Sequence, residues 1–159
     1  MISPLVNEIH IVVDTENENL ANLLVKNGIK ITACPESRHG LGSSLACGIR
    51  ATSQADGWII FLGDMPFIKQ TTIKNVLNAL KKGHKIVTPI YNGHRGHPVG
   101  FDKSLYKQLI NLSGDTGGKN IIQNNLDKTH PIIVDDPGII QDIDSVEDLS
   151  FYYNNARFD

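Results

Sequence analysis

The sequence is poor in the features that mark several large protein classes. It has only two cysteines in 159 residues, too few for a disulfide-stapled secreted domain. Cys34 and Cys47 form no C-x-x-C pair, and the simplest expectation is two reduced, partly buried thiols. No apolar run approaches the ~20 residues that span a bilayer, so no membrane partner is expected. Met1-Ile2-Ser3-Pro4 lacks the charged-then-apolar order of a secretory signal, which predicts a cytoplasmic protein. Basic residues are not in excess: 15 Lys and Arg stand against 17 Asp and Glu, a net charge of -2. That balance argues against a nucleic-acid partner. Internal repeats and low-complexity linkers are also lacking.

What remains is an ordinary globular composition, 40% hydrophobic and 20% charged, long enough for one domain with a real core, taken as 1–159. Apolar patterning alternates between the two periods. Glu8–Val13 and Ile29–Thr32 read as strands around a helix over Asn17–Asn27, with Gly28 just past its end. Pro35, Gly40 and Gly42 make 34–42 an irregular loop, and a helix starts at Ser43 or Ser44. Trp58–Leu62 is a continuous apolar run bounded by glycines, as in a central parallel strand buried on both faces. Thr71–Lys82 is an amphipathic helix, Lys85–Ile90 a strand, Leu105–Leu112 and Asn120–Leu126 helices. Short strands follow at 132–134 and 139–140, and a last helix starts at Val146. The fold class this predicts is α/β, a mainly parallel mixed sheet with helices on both faces.

Five stretches carry polar chemistry at the sheet edge where open α/β proteins bind ligands. Gly63-Asp64-Met65-Pro66 follows the apolar strand; Pro66 ends the ladder, and Asp64 stands just beyond it. As a lone turn former Asp64 would be unremarkable. Gly40-Leu41-Gly42-Ser43-Ser44 opens a helix whose free amides suit an anion, with Ser43 as its cap. His94, Arg95 and His97 sit in a polar turn; Arg95 suits a phosphate or carboxylate, whereas a zinc site lacks further ligands nearby. Ser113–Lys119 resembles a P-loop only superficially, since Ser113 and Asn120 occupy positions that need Gly and Ser/Thr. Asp142-Ile143-Asp144-Ser145 ends in a helix cap at Ser145. If Asp144 faces Asp64, the pair can hold Mg²⁺, which takes one or two carboxylates plus phosphate oxygens.

The ordered set resembles the nucleotidyltransferases of molybdenum-cofactor synthesis, the cytidylyltransferase group first and the guanylyltransferases next. The matching residues are Gly42-Ser43-Ser44-Leu45, Asp56-Gly57 with Leu62–Pro66, Arg95–Phe101, Gly114-Asp115 with Gly117, and Asp142–Asp144 with Glu147-Asp148-Leu149. The resemblance runs from Ile9 nearly to the end. It implies a three-layer Rossmann-like fold and transfer of CMP from CTP to a molybdopterin terminal phosphate, with release of pyrophosphate. By position it makes Asp64 and Asp144 the catalytic Mg²⁺ ligands, puts Gly42, Ser43, Ser44 and Gly63 beside the nucleotide, and puts Arg95, His97, Pro98 and Asp115 on the pterin side. The alternatives are a non-catalytic pterin-binding relative, or a transferase using GTP or a sugar phosphate.

One element of that family has no counterpart here. Its opening strand and loop, Leu-Ala-Ala-Gly-x-x-x-Arg-Met-Gly, cradle the triphosphate, and the strand lies mid-sheet. Met1–Val6 reads as the end of the helix that should follow. The expectation is that the flanking strands pair directly, or expose apolar edges, or take a strand from an upstream fragment or a second copy.

Overall fold

The computed structural model describes residues 5–145, 147, 148 and 150. Strands and helices alternate as the apolar periods require. β1 (His10–Asp14) and β2 (Lys30–Cys34) pair in parallel, with Val12 opposite Thr32. Between them runs α1 (Glu18–Lys26); Asn17 caps it by accepting from the Leu20 amide, and Gly28 follows at φ 73°. None of the α1 residues is buried, and Leu20, Leu23 and Val25 are exposed.

A five-stranded sheet forms the larger half. It contains β3 (Gly57–Ile60), β4 (Ile86–Tyr91), β5 (His94–Arg95), β6 (Val99–Asp102) and β7 (Thr129–Ile133). β6 lies between β3 and β4 and is antiparallel to both, β5 closes a hairpin on β4, and β7 pairs with β4 in parallel. β3, β4 and β7 therefore run one way, as expected for crossover units, but the neighbour of β3 is antiparallel. β3 ends at Ile60 with Trp58 buried and Ile59 and Ile60 half-buried, and among the described residues it has a ladder partner on one side only, so it is an edge strand and not the expected central strand buried on both faces.

The two sheets share no ladder: among the described residues neither β1 nor β3 has a partner on its remaining edge. The expected direct pairing of strands across this gap is not found among the described residues. α2 (Leu41–Ala51) spans the seam. Its Ile49 joins the core of Trp58, Ile86, Phe101 and Leu109, while a Cβ at Gly48 would stand 2.8 Å from Val12 of β1. Trp58 also stacks on Tyr106 and donates to the Thr52 hydroxyl, so its ring is packed and its N–H paired. α3 (Gln70–Lys81) covers the five-stranded sheet with Ile73, Val76 and Ala79, the spacing of one helix face. α4 (Tyr106–Leu109) and α5 (Lys119–Asn124) are short.

Four local expectations change. Residues 35–39 form a 3-10 turn, because Pro35 at its start has no amide to leave unpaired. α2 begins at Leu41, so Ser43 lies inside the first turn and Gly40 takes the cap position. Residues 137–140 form a 3-10 turn and not a strand. Cys34 and Cys47 are joined as a disulfide, not free thiols; β2 and α2 bring their Cα atoms to 6.1 Å, a separation the sequence spacing does not reveal. Of the last helix, Glu147, Asp148 and Ser150 are helical and the remainder lies outside the described residues, as do Met1–Pro4.

Candidate functional site

The acidic loop after β3 is built by hydrogen bonds from a distant segment. Gly63 and Asp64 turn out of the sheet, both exposed, while Met65 is buried beneath them. The amide of Ile143 donates to the Asp64 carbonyl at 2.9 Å. That bond lays 142–144 alongside 63–65, with Asp142 and Asp144 exposed on either side of it. Ser145 then caps the following turn: its hydroxyl accepts from the Asp148 amide, and the Asp148 carboxylate accepts from the Ser145 amide. The Ser145 hydroxyl donates to the same carboxylate at 2.7 Å, and this bond first, with the one from the Ser145 amide, holds the Asp148 carboxyl below its ordinary range.

His97 enters the same corner from the β5–β6 connection. Its amide donates to the Ile139 carbonyl, and its Nδ1 lies 3.4 Å from the Ile60 carbonyl at the end of β3. A carbonyl only accepts, so Nδ1 carries the proton and Nε2 remains an acceptor. Burial lowers the imidazole pKa; the Ile60 carbonyl and the nearby Asp64 carboxylate pull the other way without cancelling it. The His97–Pro98 peptide is cis, and Pro98 is buried. Arg95 stands exposed on β5, in register with Ile90.

The support beneath this corner is a residue that sequence reading passed over. Asp136 is 1% exposed, yet its carboxylate is fully engaged. Oδ2 accepts from the Lys69 amide at 2.8 Å and the Thr72 hydroxyl at 2.6 Å; Oδ1 accepts from the Gly138 amide at 3.0 Å. It therefore joins the start of α3 to the 137–140 turn whose Ile139 receives His97. The Asp136-Pro137-Gly138 triplet was the available signal, a turn whose first carboxylate bonds its own backbone.

The second group forms at the start of α2. The Gly42 amide donates to the Gly114 carbonyl at 2.7 Å, docking the helix on the 113–115 loop. The approach needs glycine: a Cβ at Gly40 would lie 2.1 Å from Asp115 Oδ1, and one at Gly42 2.8 Å from the Ser113 carbonyl oxygen. The Ser43 and Ser44 amides both donate to the Gly40 carbonyl. The amides of 42–44 are thus satisfied within the chain, and the expected anion cradle of free N–H groups is not open there. What these residues offer a ligand is side-chain chemistry, with Ser43 buried and Ser44 half-buried.

The geometry so brings Asp64, His97, Pro98 and the 142–144 strand of chain into one corner, and Gly42, Ser43 and Ser44 against Gly114 and Asp115 in another. No hydrogen bond or ion pair ties Arg95 to either group among the described residues. Asp64 and Asp144 are exposed carboxylates on segments joined by the Ile143–Asp64 backbone bond, and carboxylate oxygens are the hard donors that divalent cations take.

Known proteins share this arrangement of elements. No curated protein sequence matches the chain. Several solved structures do. Rv0371c from Mycobacterium tuberculosis H37Rv, solved in complex with manganese, superposes with a TM-score of 0.74 at 18% identity, over 91% of this chain and 77% of that one. A nucleotidyl transferase from Methanothermobacter gives 0.75 at 16% identity, over 94% and 73%. The 4-diphosphocytidyl-2C-methyl-D-erythritol synthase from Anaerococcus prevotii gives 0.71 at 18%, over 92% and 77%. At these identities the likeness is one of fold, the Rossmann-like α/β fold of nucleotidyltransferases. No described helix is long and apolar enough to cross a membrane. The sequence itself goes further, because residues 1–130 match the MobA-like NTP transferase domain, and this chain belongs to that family.

Proposed function

We propose that the chain transfers CMP from CTP to the terminal phosphate of a molybdopterin-type acceptor. An acceptor phosphate oxygen forms a bond to the α-phosphorus, the bond to the bridging oxygen breaks, and pyrophosphate leaves. The observation that carries this reading is the Ile143–Asp64 bond, which aligns the two acidic segments beside His97. Asp64 and Asp144 would hold Mg²⁺. When bound, the ion neutralises charge that develops on the phosphoryl oxygens. The chain's own work is positioning and exclusion of water. Ser43 and Ser44 offer hydroxyls to the nucleotide from the buried start of α2. His97 presents Nε2 as a neutral acceptor, kept so by burial. Arg95, with its planar fork of donors, suits the acceptor's phosphate, and Asp115 its amino-bearing ring.

Calorimetric titration with CTP and then GTP in Mg²⁺, with Asp64→Asn as control, tests it. CTP binding lost in the variant, together with pyrophosphate release from wild type, is the expected result. Binding of GTP in preference to CTP moves the assignment to the guanylyl branch.

A second reading has its own support. The amides of Gly42, Ser43 and Ser44 are already taken, and among the described residues β1 and β3 each keep one unpaired edge. Both observations favour a chain that holds a triphosphate only after another strand, from an upstream segment or a second copy, completes the sheet. Until then it is a pterin-binding relative. Turnover by the 159-residue chain at concentrations where it sediments as a monomer rejects this reading.

A further inference from the structure

The Cys34–Cys47 pair is surrounded by groups that the transfer chemistry does not use. Glu36 Oε2 lies 3.6 Å from both sulfurs. An Arg50 guanidinium nitrogen lies 3.9 Å from the Cys47 sulfur, while its other terminal nitrogen is fixed by the Ile110 carbonyl at 2.8 Å. A disulfide gives a carboxylate no proton to accept, so the placement of Glu36 suits the dithiol, in which either S–H can donate to it. The sulfurs are not equivalent. Cys34 is 0% exposed and Cys47 8%, so Cys47 is the nearer of the two to the surface. The Glu36 carboxylate faces both sulfurs, and the Arg50 cation offsets it on the Cys47 side alone, so of the two thiols Cys47 is the better placed to ionise to a thiolate, the reactive form.

From this geometry we infer that Cys34 and Cys47 are a reversible thiol–disulfide exchange site for a small-molecule disulfide or dithiol carrier. In the oxidising direction the Cys47 thiolate attacks the external disulfide. A mixed disulfide forms at Cys47, and one external thiolate leaves. Cys34 then attacks the Cys47 sulfur, its proton passes to Glu36 Oε2, and the second external thiolate leaves. The chain loses two electrons to the carrier, which departs as two thiols. Reduction by a dithiol runs the same steps backwards. Arg50 and Glu36 are positioning and proton-carrying groups for the pair. The exchange has a structural consequence, because the bond ties the end of β2 to the helix that carries Gly42, Ser43 and Ser44. The inference does not depend on the transfer reaction, and its test needs no nucleotide.

The full chain is treated with excess dithiothreitol in the absence of denaturant, desalted anaerobically, and mixed with oxidised glutathione. Alkylation and mass spectrometry follow the thiols. Two alkylatable thiols should appear while far-ultraviolet circular dichroism is unchanged. Cys34→Ser should trap glutathione on Cys47, and Cys47→Ser should leave Cys34 unmodified. Glu36→Gln should slow closure about tenfold at pH 7, where an unassisted thiol of pKa about 8.5 is mostly protonated. That deficit should vanish as pH rises above the thiol pKa, and Glu36→Asp should restore part of the rate. The inference is overturned if thiols appear only after denaturant is added, if the trapped adduct sits on Cys34, or if Glu36→Gln closes like wild type at every pH.

Discussion

The Ile143 amide and the Asp64 carbonyl meet at 2.9 Å across 79 residues of sequence, and the bond uses only the backbone of the aspartate. The side chain is left free for other work, so its chemistry can be removed without removing the join. Asp64→Asn should therefore keep its melting temperature and lose metal-dependent pyrophosphate release by about 10³-fold, ~4 kcal/mol of transition-state stabilisation. Asp142→Asn, an exposed change on the same segment, should stay near wild type. Chelation of divalent cations should arrest wild type and add nothing to the Asp64→Asn defect.

Gly40 serves two constraints at once. Its φ of 105° excludes most side chains, and a Cβ would meet both Asp115 Oδ1 and the Gly114 backbone. Gly83 shares the backbone constraint at φ 95° but faces open space. Urea unfolding should separate the two effects. Gly83→Ala should cost about 1 kcal/mol and Gly40→Ala about 3 kcal/mol, the difference being the displaced loop. Adding Asp115→Ala should not rescue Gly40→Ala, because the Gly114 backbone remains in the way.

Asp136→Ala should be among the most destabilising single changes in the chain, at about 3 kcal/mol. It leaves the Lys69 amide and the Thr72 hydroxyl without their acceptor in a buried place. Asp136→Asn retains one oxygen and should cost less. Chemical denaturation of the two variants, at a pH well above the carboxylate range, makes the comparison.

His97 sets a pH window for stability. Burial lowers its folded pKa, so the unfolded chain binds the proton more readily. Stability from this group is present above about pH 6.5, the unfolded value, and is lost as pH falls from there through the folded value. The carboxyls of Asp14, Asp102 and Asp148 are also lowered, but their losses begin only below about pH 4. Stability should therefore decline in two separated steps, and His97→Gln should flatten the upper one.

Elements whose signal is local were legible in the sequence. The Leu20–Leu24 spacing with Asn17 and Gly28 gave α1, and Ile73, Val76 and Leu80 gave α3. That Asp64 stands just beyond an apolar strand was also readable, whereas the 142–144 segment was placed beside it only as a condition, and the join through Ile143 shows in three dimensions alone. Long-range features were hidden. Nothing in Val99–Asp102 shows that it inserts antiparallel between β3 and β4. The Cys34–Cys47 bond depends on how β2 and α2 pack. The Gly42 amide looked free because its acceptor, Gly114, declares itself only in three dimensions, and those of Ser43 and Ser44 looked free because the helix start was read two residues late. Ser145 was readable as a cap because its partner Asp148 is three residues away.

The seam between the sheets divides the molecule's cooperativity. β1, α1 and β2 hold few buried side chains, with Val13 and Cys34 the principal ones, and share no ladder with the rest. Their hold on the larger half passes through α2 and one covalent bond. In native-state hydrogen exchange the amides of 10–34 should open as a unit of their own, at a lower free energy than those of β4 and β6. About a sixth of the chain then behaves as a detachable leaf, and a strand lying down in the seam would weld it to the body.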